Sequence, residues 1–495
     1  MSLLINSREE FLLPNYARVA WLGESVTISD TAIRKISKSR TAFVDLINTN
    51  ENLTIYGVTS GYGQNAKTRL STEQRAEHAA TPPFAAMAGF GDDLPERLKR
   101  GITFCRLANF VEGHAGVTPA LAQAVAQMLD DRLPPVPLLG NSSAGEIIPL
   151  SHLFTPMTQG FDLAEKETLA LINGSPCATA LLCDIALATE QRIDLLLDVF
   201  ALAIEAMGAP LEAYDESLES LYGDPYVAYV LQQLRARIDL EKSGRRTYQA
   251  PVSWRIVPQV LGQLCRAHAQ ICEAASISLK AVTDNPVIVP GDNAGKVIPR
   301  VLSNGGYHNG AACMAMDAVA GGLADLATLA DRQISKLFDA SVSGLPPQLK
   351  AEGANGYLGC CGFIAADYAE QARKSACRTP LIGSEGGGFG QNDILIPVFH
   401  AWRQHQETAR SLDACLAILA VTCSQAFSVS DAVSPSARLT PMLEQVRFYV
   451  PPVKTARAVG ASIGELAREF SARVFAGCTT DAESGKASAS ASSII

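Results

Sequence analysis

The sequence predicts a mainly α-helical protein, in which a loop-rich N-terminal portion precedes a bundle of long helices. Two observations carry this prediction. Apolar residues recur at steps of three and four through the second half of the chain, whereas strand-like runs are scarce. The best strand candidate, at residues 286–290, is a Val-Ile-Val run between two prolines. A large sheet is therefore not expected.

Long helices are predicted in three places. Residues 187–207 form the first, and the following Gly208 and Pro210 are typical of a helix stop. An apolar face through residues 316–337 defines the second, and residues 408–426 define the third. The predicted breaks between elements are residues 134–140, 344–347 and 383–390.

Neither an internal repeat nor an interdomain linker is visible, so the chain reads as one large helical unit. Within it, we expect residues 1–200 to form the loop-rich portion and residues 201–480 to form the helical bundle. The Ala/Ser-rich end, residues 481–495, is predicted to be a flexible tail.

The charge balance favours a small-molecule partner. The 495 residues include 50 Asp plus Glu against 41 Lys plus Arg, which gives a net charge of −9. A nucleic-acid-binding surface should be basic, so nucleic acid is not an expected partner. The longest charge-free apolar stretch, residues 414–430, contains Thr422, Ser424 and Gln425 and is too short and polar for a membrane span. No membrane partner is expected either.

Cysteine usage is typical of a reducing compartment. No CxxC pair or Cys/His ligand spacing occurs, and the isolated His152 and His308 have no carboxylate at ligand spacing. Residues 1–10 lack the basic and apolar regions of a secretory signal. We therefore expect a cytoplasmic protein without disulfides or a bound metal. The cysteines that lie within apolar stretches are Cys183, Cys265, Cys272, Cys313, Cys415 and Cys423.

Six polar motifs interrupt the apolar sequence. Each alone could be a simple turn, but their order is informative. They are Tyr56-Gly-Val-Thr-Ser-Gly-Tyr-Gly63, Arg106-Leu-Ala-Asn-Phe-Val-Glu-Gly-His-Ala-Gly-Val117, Gly145-Glu-Ile-Ile-Pro-Leu-Ser-His152, Leu169-Ala-Leu-Ile-Asn-Gly174, Pro258-Gln-Val-Leu-Gly262 and Thr283-Asp-Asn-Pro286. In this order, over roughly residues 50 to 400, they resemble the motifs of the aromatic amino-acid ammonia-lyase and aminomutase family, which includes histidine, phenylalanine and tyrosine ammonia-lyases.

The resemblance implies an α-helical homotetramer whose active sites take residues from three subunits. It also implies a prosthetic group, 4-methylidene-imidazol-5-one, which the family makes by cyclising an internal Ala-Ser-Gly. Here the matching tripeptide is Ser143-Ala144-Gly145. Alanine has no hydroxyl to lose, so an electrophilic methylidene cannot form at residue 144, and no cofactor is expected. Shifting the register to residues 142–144 supplies a central serine but replaces the glycine nucleophile by alanine.

The resemblance also assigns the main site residues. Tyr56 would be the general base, a role in which neighbours must stabilise the phenolate because an ordinary phenol ionises near pH 10. Arg255 would bind a substrate carboxylate, because a guanidinium can hold one through two parallel hydrogen bonds. The alternatives are a packing tyrosine and a structural ion pair. Asn173 and Gln249 are amides suited to orienting a carboxylate or a carbonyl oxygen, with helix capping as the alternative.

Further residues are expected to line the same site. Tyr307 would stack on the substrate or hydrogen-bond to it, and the alternative is a half-buried core tyrosine. Gly63 closes the first motif, and Gln391 with Asn392 matches a family motif on the amine side of the pocket. Val252 stands where the family has an active-site tyrosine, so a phenol hydroxyl that helps to position the amine is missing.

Three functions stay open on this evidence. The first is a diverged lyase, which acts on an amino-acid-like or carboxylate-bearing small molecule by proton abstraction with elimination, addition or cyclisation. The second is a serine-to-alanine inactive form of an ordinary ammonia-lyase or aminomutase. The third is a non-catalytic scaffold, against which the retention of Tyr56 and Arg255 counts. The diverged enzyme is the preferred hypothesis, because a single inactivating change would not explain Val252.

Overall fold

Helices dominate the part of the chain that the computed structural model describes, namely residues 2–50, 53–61, 65, 67–291, 299–383 and 392–476. This confirms the predicted fold class. The helices are α1 Leu13–Ala20, α2 Asp30–Thr49, α3 Thr72–Ala80, α4 Glu96–Leu107, α5 Pro119–Gln127, α6 Ile147–Phe154, α7 Glu167–Ile172, α8 Pro176–Met207, α9 Ser217–Tyr222, α10 Pro225–Arg235, α11 Val252–Arg255, α12 Val257–Lys280, α13 Gly310–Phe338, α14 Ala340–Ser343, α15 Cys361–Ser375, α16 Val398–Val429, α17 Thr440–Tyr449 and α18 Gly460–Ala476.

Strands in the described ranges are short and pair two by two. The first sheet is parallel, with Ser2 opposite Ser25 and Ile5 opposite Ile28. The run at residues 286–290 does form a strand, which pairs in an antiparallel hairpin, and the third pair is antiparallel as well. The strands are β1 Ser2–Ile5, β2 Ser25–Ile28, β3 Val287–Val289, β4 Arg300–Leu302, β5 Ile382–Gly383 and β6 Ile394–Leu395.

Helix α8 is longer than the sequence pattern predicted. It ends at Met207 as expected, and Gly208 follows with a positive φ of 57°. It begins, however, at Pro176 rather than at Leu187. Proline is well suited to the first turn of a helix. Residues 176–186 are buried on every side, so they lack the amphipathic period by which the rest of the helix was recognised.

Apolar helices supply the core. By length and composition, three helical stretches of the described chain could cross a membrane: Glu167–Met207, Gly310–Phe338 and Val398–Val429. In their most apolar windows, 100%, 50% and 83% of the residues are buried inside the protein. Core packing therefore accounts for the apolar sequence of the first and third, whereas α13 leaves half of its window uncovered. The expected absence of a membrane partner stays a prediction.

The cysteines of the described ranges are free thiols. Of the six in apolar stretches, Cys272 and Cys313 are half-buried and the other four are buried. Burial raises the pKa of the buried thiols, so they are neutral at physiological pH. They are small core side chains rather than nucleophiles.

The chain divides into two compact units, each built from separate stretches of sequence. One comprises Met1–Ile185, Cys272–Met314 and Thr379–Trp402, and the other comprises Ala186–Ile271, Ala315–Arg378 and Arg403–Ile495. We call them the first and the second unit. The sequence-based portions, residues 1–200 and 201–480, stay a prediction, and the expected tail at 481–495 lies outside the described residues.

Candidate active site

A tight turn presents Tyr56 in the first unit. The carbonyl oxygen of Ile55 accepts hydrogen bonds from the backbone amides of residues 58–60 at 3.0–3.1 Å. The Thr59 hydroxyl donates to the Leu53 carbonyl and accepts from the Ile55 amide, both at 2.7 Å. The Tyr56 ring is half-buried on this turn. Its backbone is thus held by short-range bonds that do not depend on a ligand.

A second turn holds the tripeptide that contains Ala144. Gly145 and Glu146 both adopt left-handed backbone conformations, with φ of 65° and 58°. The Gly145 carbonyl accepts the Gly174 amide at 3.1 Å. A Cβ atom added at Gly145 would lie 2.7 Å from Oδ1 of Asn173, so only glycine fits. The turn that contains the half-buried Ala144 therefore lies against Asn173.

Glu146 fixes this turn to the start of helix α8. Its carboxylate is fully buried and accepts the backbone amides of Cys177 at 2.6 Å and Ala178 at 2.8 Å. These amides lie in the first helical turn, where N–H groups lack helical acceptors and the helix dipole favours an anion. Burial raises the pKa of Glu146 to about 7, while the two amide donors and the Arg106 guanidinium act in the opposite direction.

Arg106 fixes the backbone of Asn173 by hydrogen bonding to its carbonyl oxygen. Its guanidinium is fully buried, and NH1 donates to the carbonyl oxygens of Ala170 and Asn173, both at 2.9 Å. Burial lowers the pKa of Arg106, and the charges of Asp284 and Glu146 oppose this change. Within the described chain, Asn173 Oδ1 has no hydrogen-bond partner. This buried acceptor is thus free for a donor on a ligand or a water molecule.

The first unit also contains a buried ion pair. Lys166 and Asp284 are both fully buried and form a direct ion pair. Oδ1 of Asn109 accepts the backbone amides of Thr283 and Asp284 at 2.7 and 3.1 Å. Parts of the second and sixth sequence motifs therefore serve to support the fold around the site. None of these residues was predicted to have a role of its own.

Tyr307 and Asn392 also lie in the first unit. Tyr307 is half-buried in the turn between β4 and α13, where the His308 amide bonds to the Gly305 carbonyl at 3.0 Å. Asn392 is half-buried just before β6. Two other predicted residues, Gly63 and Gln391, lie outside the described ranges.

The second unit contributes Gln249, Val252 and Arg255. Val252 and Arg255 begin and end helix α11, a single turn, and Val252 is 56% exposed. The Arg255 side chain is half-buried, and its Nε donates to the Ala250 carbonyl at 3.0 Å. This hydrogen bond orients the guanidinium. Gln249 is exposed on the segment before the helix.

Neutral hydrogen bonds anchor helix α11. The indole Nε1 of the fully buried Trp254 donates to the Ala203 carbonyl at 2.9 Å. The Tyr214 hydroxyl donates to the Trp254 carbonyl at 2.9 Å, and Gln333 Nε2 donates to the Ser253 carbonyl at 2.7 Å. Three side chains thus fix the orientation of one helical turn.

Histidine does not form a metal centre in the described part of the chain. His152 accepts the Gly89 amide through Nε2 at 3.0 Å, and burial lowers its pKa. Among the described residues, no group of three His, Cys, Asp or Glu side chains could hold a metal ion. His152 is therefore a structural acceptor.

Comparison with known proteins decides the family. The model of the family described as aromatic amino acid lyase matches residues 13–448. The chain belongs to this family. A curated relative of this lyase-family chain, the histidine ammonia-lyase of Burkholderia ambifaria, is 25% identical over 502 aligned positions, which cover 94% of this chain and 96% of the relative.

Solved structures share the lyase fold. Ergothionase from Treponema denticola, described as degrading ergothioneine, matches with a TM-score of 0.86 at 17% identity, over 96% of this chain and 99% of that one. Tyrosine aminomutase from Streptomyces globisporus matches with a TM-score of 0.82 at 23% identity, over 97% and 98% of the two chains. At these identities, the two matches establish the common fold of this lyase-family chain.

Proposed function

We propose that this chain is a diverged lyase that acts on an amino-acid-like or carboxylate-bearing small molecule without a methylidene-imidazolone group. One observation carries the proposal. The turn around residue 144 is complete, with Gly145 in a left-handed conformation, Glu146 bonded to α8 and Asn173 in contact. The residue at its centre is alanine, whose methyl group cannot lose water. The residues present do not fit the family's prosthetic group.

The remaining side chains support proton-transfer chemistry. In this proposal, Arg255 binds the carboxylate and Tyr56 removes a proton from a neighbouring carbon. The electron pair of that C–H bond then forms a double bond while a leaving group departs with its own bonding pair. In a cyclisation, it attacks an electrophilic carbon of the same substrate, and the pair displaced from that carbon leaves with a leaving group or moves to an oxygen atom of the substrate. If losing the electrophile costs on the order of 4–7 kcal/mol of transition-state stabilisation, the rate falls roughly 10³- to 10⁵-fold. The substrate must therefore bring its own acidic C–H bond or a better leaving group than ammonia.

We also propose that the active particle is a cytoplasmic homotetramer. Large apolar side chains are exposed on the single chain, including Phe363 at 79% and Phe448 at 81%. Half of the apolar window of α13 is uncovered as well. Exposed apolar surface of this kind is typical of subunit interfaces. Light scattering is expected to give four times the 52.5 kDa chain mass, and a monomer at micromolar concentration would contradict the proposal.

The decisive test combines mass and activity. The intact mass is expected to equal that of the unmodified sequence. Assays with histidine, tyrosine, phenylalanine and ergothioneine would compare the natural chain with an Ala144→Ser variant. We expect no strong amino-acid deamination from either protein, because Val252 still lacks the phenol. Loss of two waters from the variant, one on cyclisation and one on dehydration of the new serine, with near-ultraviolet absorption and a 10³-fold gain in deamination, would instead identify an inactivated ordinary ammonia-lyase.

A scaffold makes a different prediction for the site residues. If the chain is an enzyme, Tyr56→Phe should abolish turnover while leaving carboxylate binding within about twofold. Arg255→Gln should weaken carboxylate binding by tenfold or more, since a bidentate charged pair is lost. Unchanged ligand binding in Arg255→Gln, together with the absence of turnover in the natural chain, would favour the scaffold.

A further inference from the structure

The exposed side of helix α11 contains two residues, Val252 and Arg255, that bear on which substrate could bind. Val252 and Arg255 are three residues apart, so they lie on the same side of the turn with Cβ atoms about 5–6 Å apart. The residues between them, Ser253 and Trp254, are buried. The turn therefore has one side that is anchored in the protein and one that presents a valine beside an arginine.

The arginine has its two terminal nitrogens available. Nε donates to the Ala250 carbonyl, and NH1 and NH2 have no hydrogen-bond or ion-pair partner among the described residues. The backbone bond fixes the plane of the guanidinium and leaves one edge open. This is the edge that binds a carboxylate through two parallel hydrogen bonds.

The valine offers only apolar contact. A single exposed aliphatic residue is ordinary on a protein surface. Val252 differs because the orientation of its helix is fixed. Hydrogen bonds of Trp254, Tyr214 and Gln333 hold the backbone of α11 in place. A β-branched side chain also has little rotamer freedom, so the isopropyl group is presented in a fixed direction. Because Val252 and Arg255 share one side of the turn, a ligand held by Arg255 can bring a neighbouring part of its skeleton against this isopropyl group.

We infer that Val252 is a specificity-determining residue, and that the substrate bound by its carboxylate at Arg255 carries an apolar group that packs against Val252. The inference rests on the proposed function, which assigns the carboxylate to Arg255. A polar group at that position would lose water against the valine without gaining a hydrogen bond, which is unfavourable. The substrate class is therefore an aliphatic or aryl carboxylic acid rather than one with an amide, hydroxyl or charged group where it meets Val252.

Two probe ligands of equal shape test the inference. 5-Methylhexanoate ends in an isopropyl group, and 4-carbamoylbutanoate ends in a primary amide of the same shape, at the same number of bonds from the carboxylate. Dissociation constants would be measured by ligand-observed NMR with the full chain. We expect 5-methylhexanoate to bind at least tenfold more tightly. Val252→Thr, which keeps the shape but adds a hydroxyl, should reduce this ratio to about threefold or less.

Two further variants separate the possible failures. Arg255→Gln should weaken both ligands by a similar factor of tenfold or more and leave their ratio unchanged. Leu4→Thr, at a 51% exposed aliphatic position on β1, should change neither constant. If Arg255→Gln has no effect, or if neither probe binds, the carboxylate assignment of the proposed function is wrong. If Arg255→Gln weakens both probes but Val252→Thr leaves the ratio unchanged, the inference about Val252 alone is wrong.

Discussion

Two segments of the candidate site are held in place by opposite means. In the first unit, the turn with Ala144 is fixed by buried charge: the Glu146 carboxylate binds the start of α8, and Arg106 holds the backbone of Asn173. In the second unit, α11 is fixed by neutral groups, the indole, hydroxyl and amide of three side chains. Both segments are anchored by hydrogen bonds of buried side chains, but only the first depends on a group whose pKa lies near neutral pH.

The charged and the neutral anchors should respond differently to pH. A buried charge that anchors a turn makes the local geometry sensitive to protonation, and burying it is expensive unless its partners remain in place. Neutral hydrogen bonds have no such dependence, so α11, which carries the proposed carboxylate-binding residue Arg255, should keep its orientation over a wide pH range. We therefore expect a change of pH below 7 to alter the stability of the first segment before that of the second.

The largest expected effect is the pH dependence that Glu146 gives to stability. Its pKa is about 7 in the folded chain, against an ordinary value of 4.5. Between these two values, the folded state retains a proton that the unfolded state has lost. The free energy of unfolding should therefore fall as pH rises from about 4.5 to 7, by up to about 3 kcal/mol from this group, and level off above pH 7. Urea unfolding across this range measures the slope.

The control for this prediction is Glu146→Gln, which keeps the size of the side chain but cannot ionise. Its unfolding free energy should lack the part of the slope that Glu146 contributes. Equal slopes in the natural chain and the variant would show that the Glu146 carboxyl does not titrate in this window.

An intermediate effect is expected at Gly145. Gly145→Ala places a methyl group 2.7 Å from Oδ1 of Asn173 and also forces alanine into a left-handed conformation. We expect a loss of about 2–3 kcal/mol in the free energy of unfolding. Gly140→Ala is the matched control, since Gly140 has a similar φ of 74° but open space around its Cβ position. Its loss should be about 1 kcal/mol, and equal losses would show that the contact with Asn173 carries no strain.

The smallest effect on stability is expected from the neutral hydrogen bonds that hold helix α11. Tyr214→Phe removes one hydrogen bond to the Trp254 carbonyl and should cost about 1 kcal/mol of stability. Because α11 is then less firmly held, carboxylate binding at Arg255 should weaken severalfold. Tyr16→Phe is the control in the first unit, where a buried hydroxyl donates to the Ala180 carbonyl at the same distance of 2.9 Å. A similar loss of affinity in both variants would point to general destabilisation.

Much of the fold could be predicted because apolar periodicity is a local property. The pattern at residues 316–337 and 408–426 identified parts of α13 and α16, and the proline-bounded run at 286–290 identified a short strand. The start of α8 was missed, since a helix buried on all sides has no polar face to set a period.

The site was predictable only in part. Ala144 and Asn173 were identified through motifs, and the structure brings their segments together. The anchoring role of Glu146 was missed because its partners lie some thirty residues further along the chain. One signal was available: an acidic residue directly after Gly145 and before the apolar run Ile-Ile-Pro-Leu is hard to bury without donors. Arg106 gave no comparable signal, since motif membership does not reveal which carbonyls a guanidinium reaches.

The carboxylate of Glu146 also limits where an anionic substrate can bind. The first turn of a helix attracts anions, and the start of α8 would otherwise be a suitable seat for a second carboxylate. Here an internal side chain already occupies its amides. Glu146 thus occupies the backbone amides that an external carboxylate would need at the start of α8, and this agrees with the proposal that assigns the substrate carboxylate to Arg255.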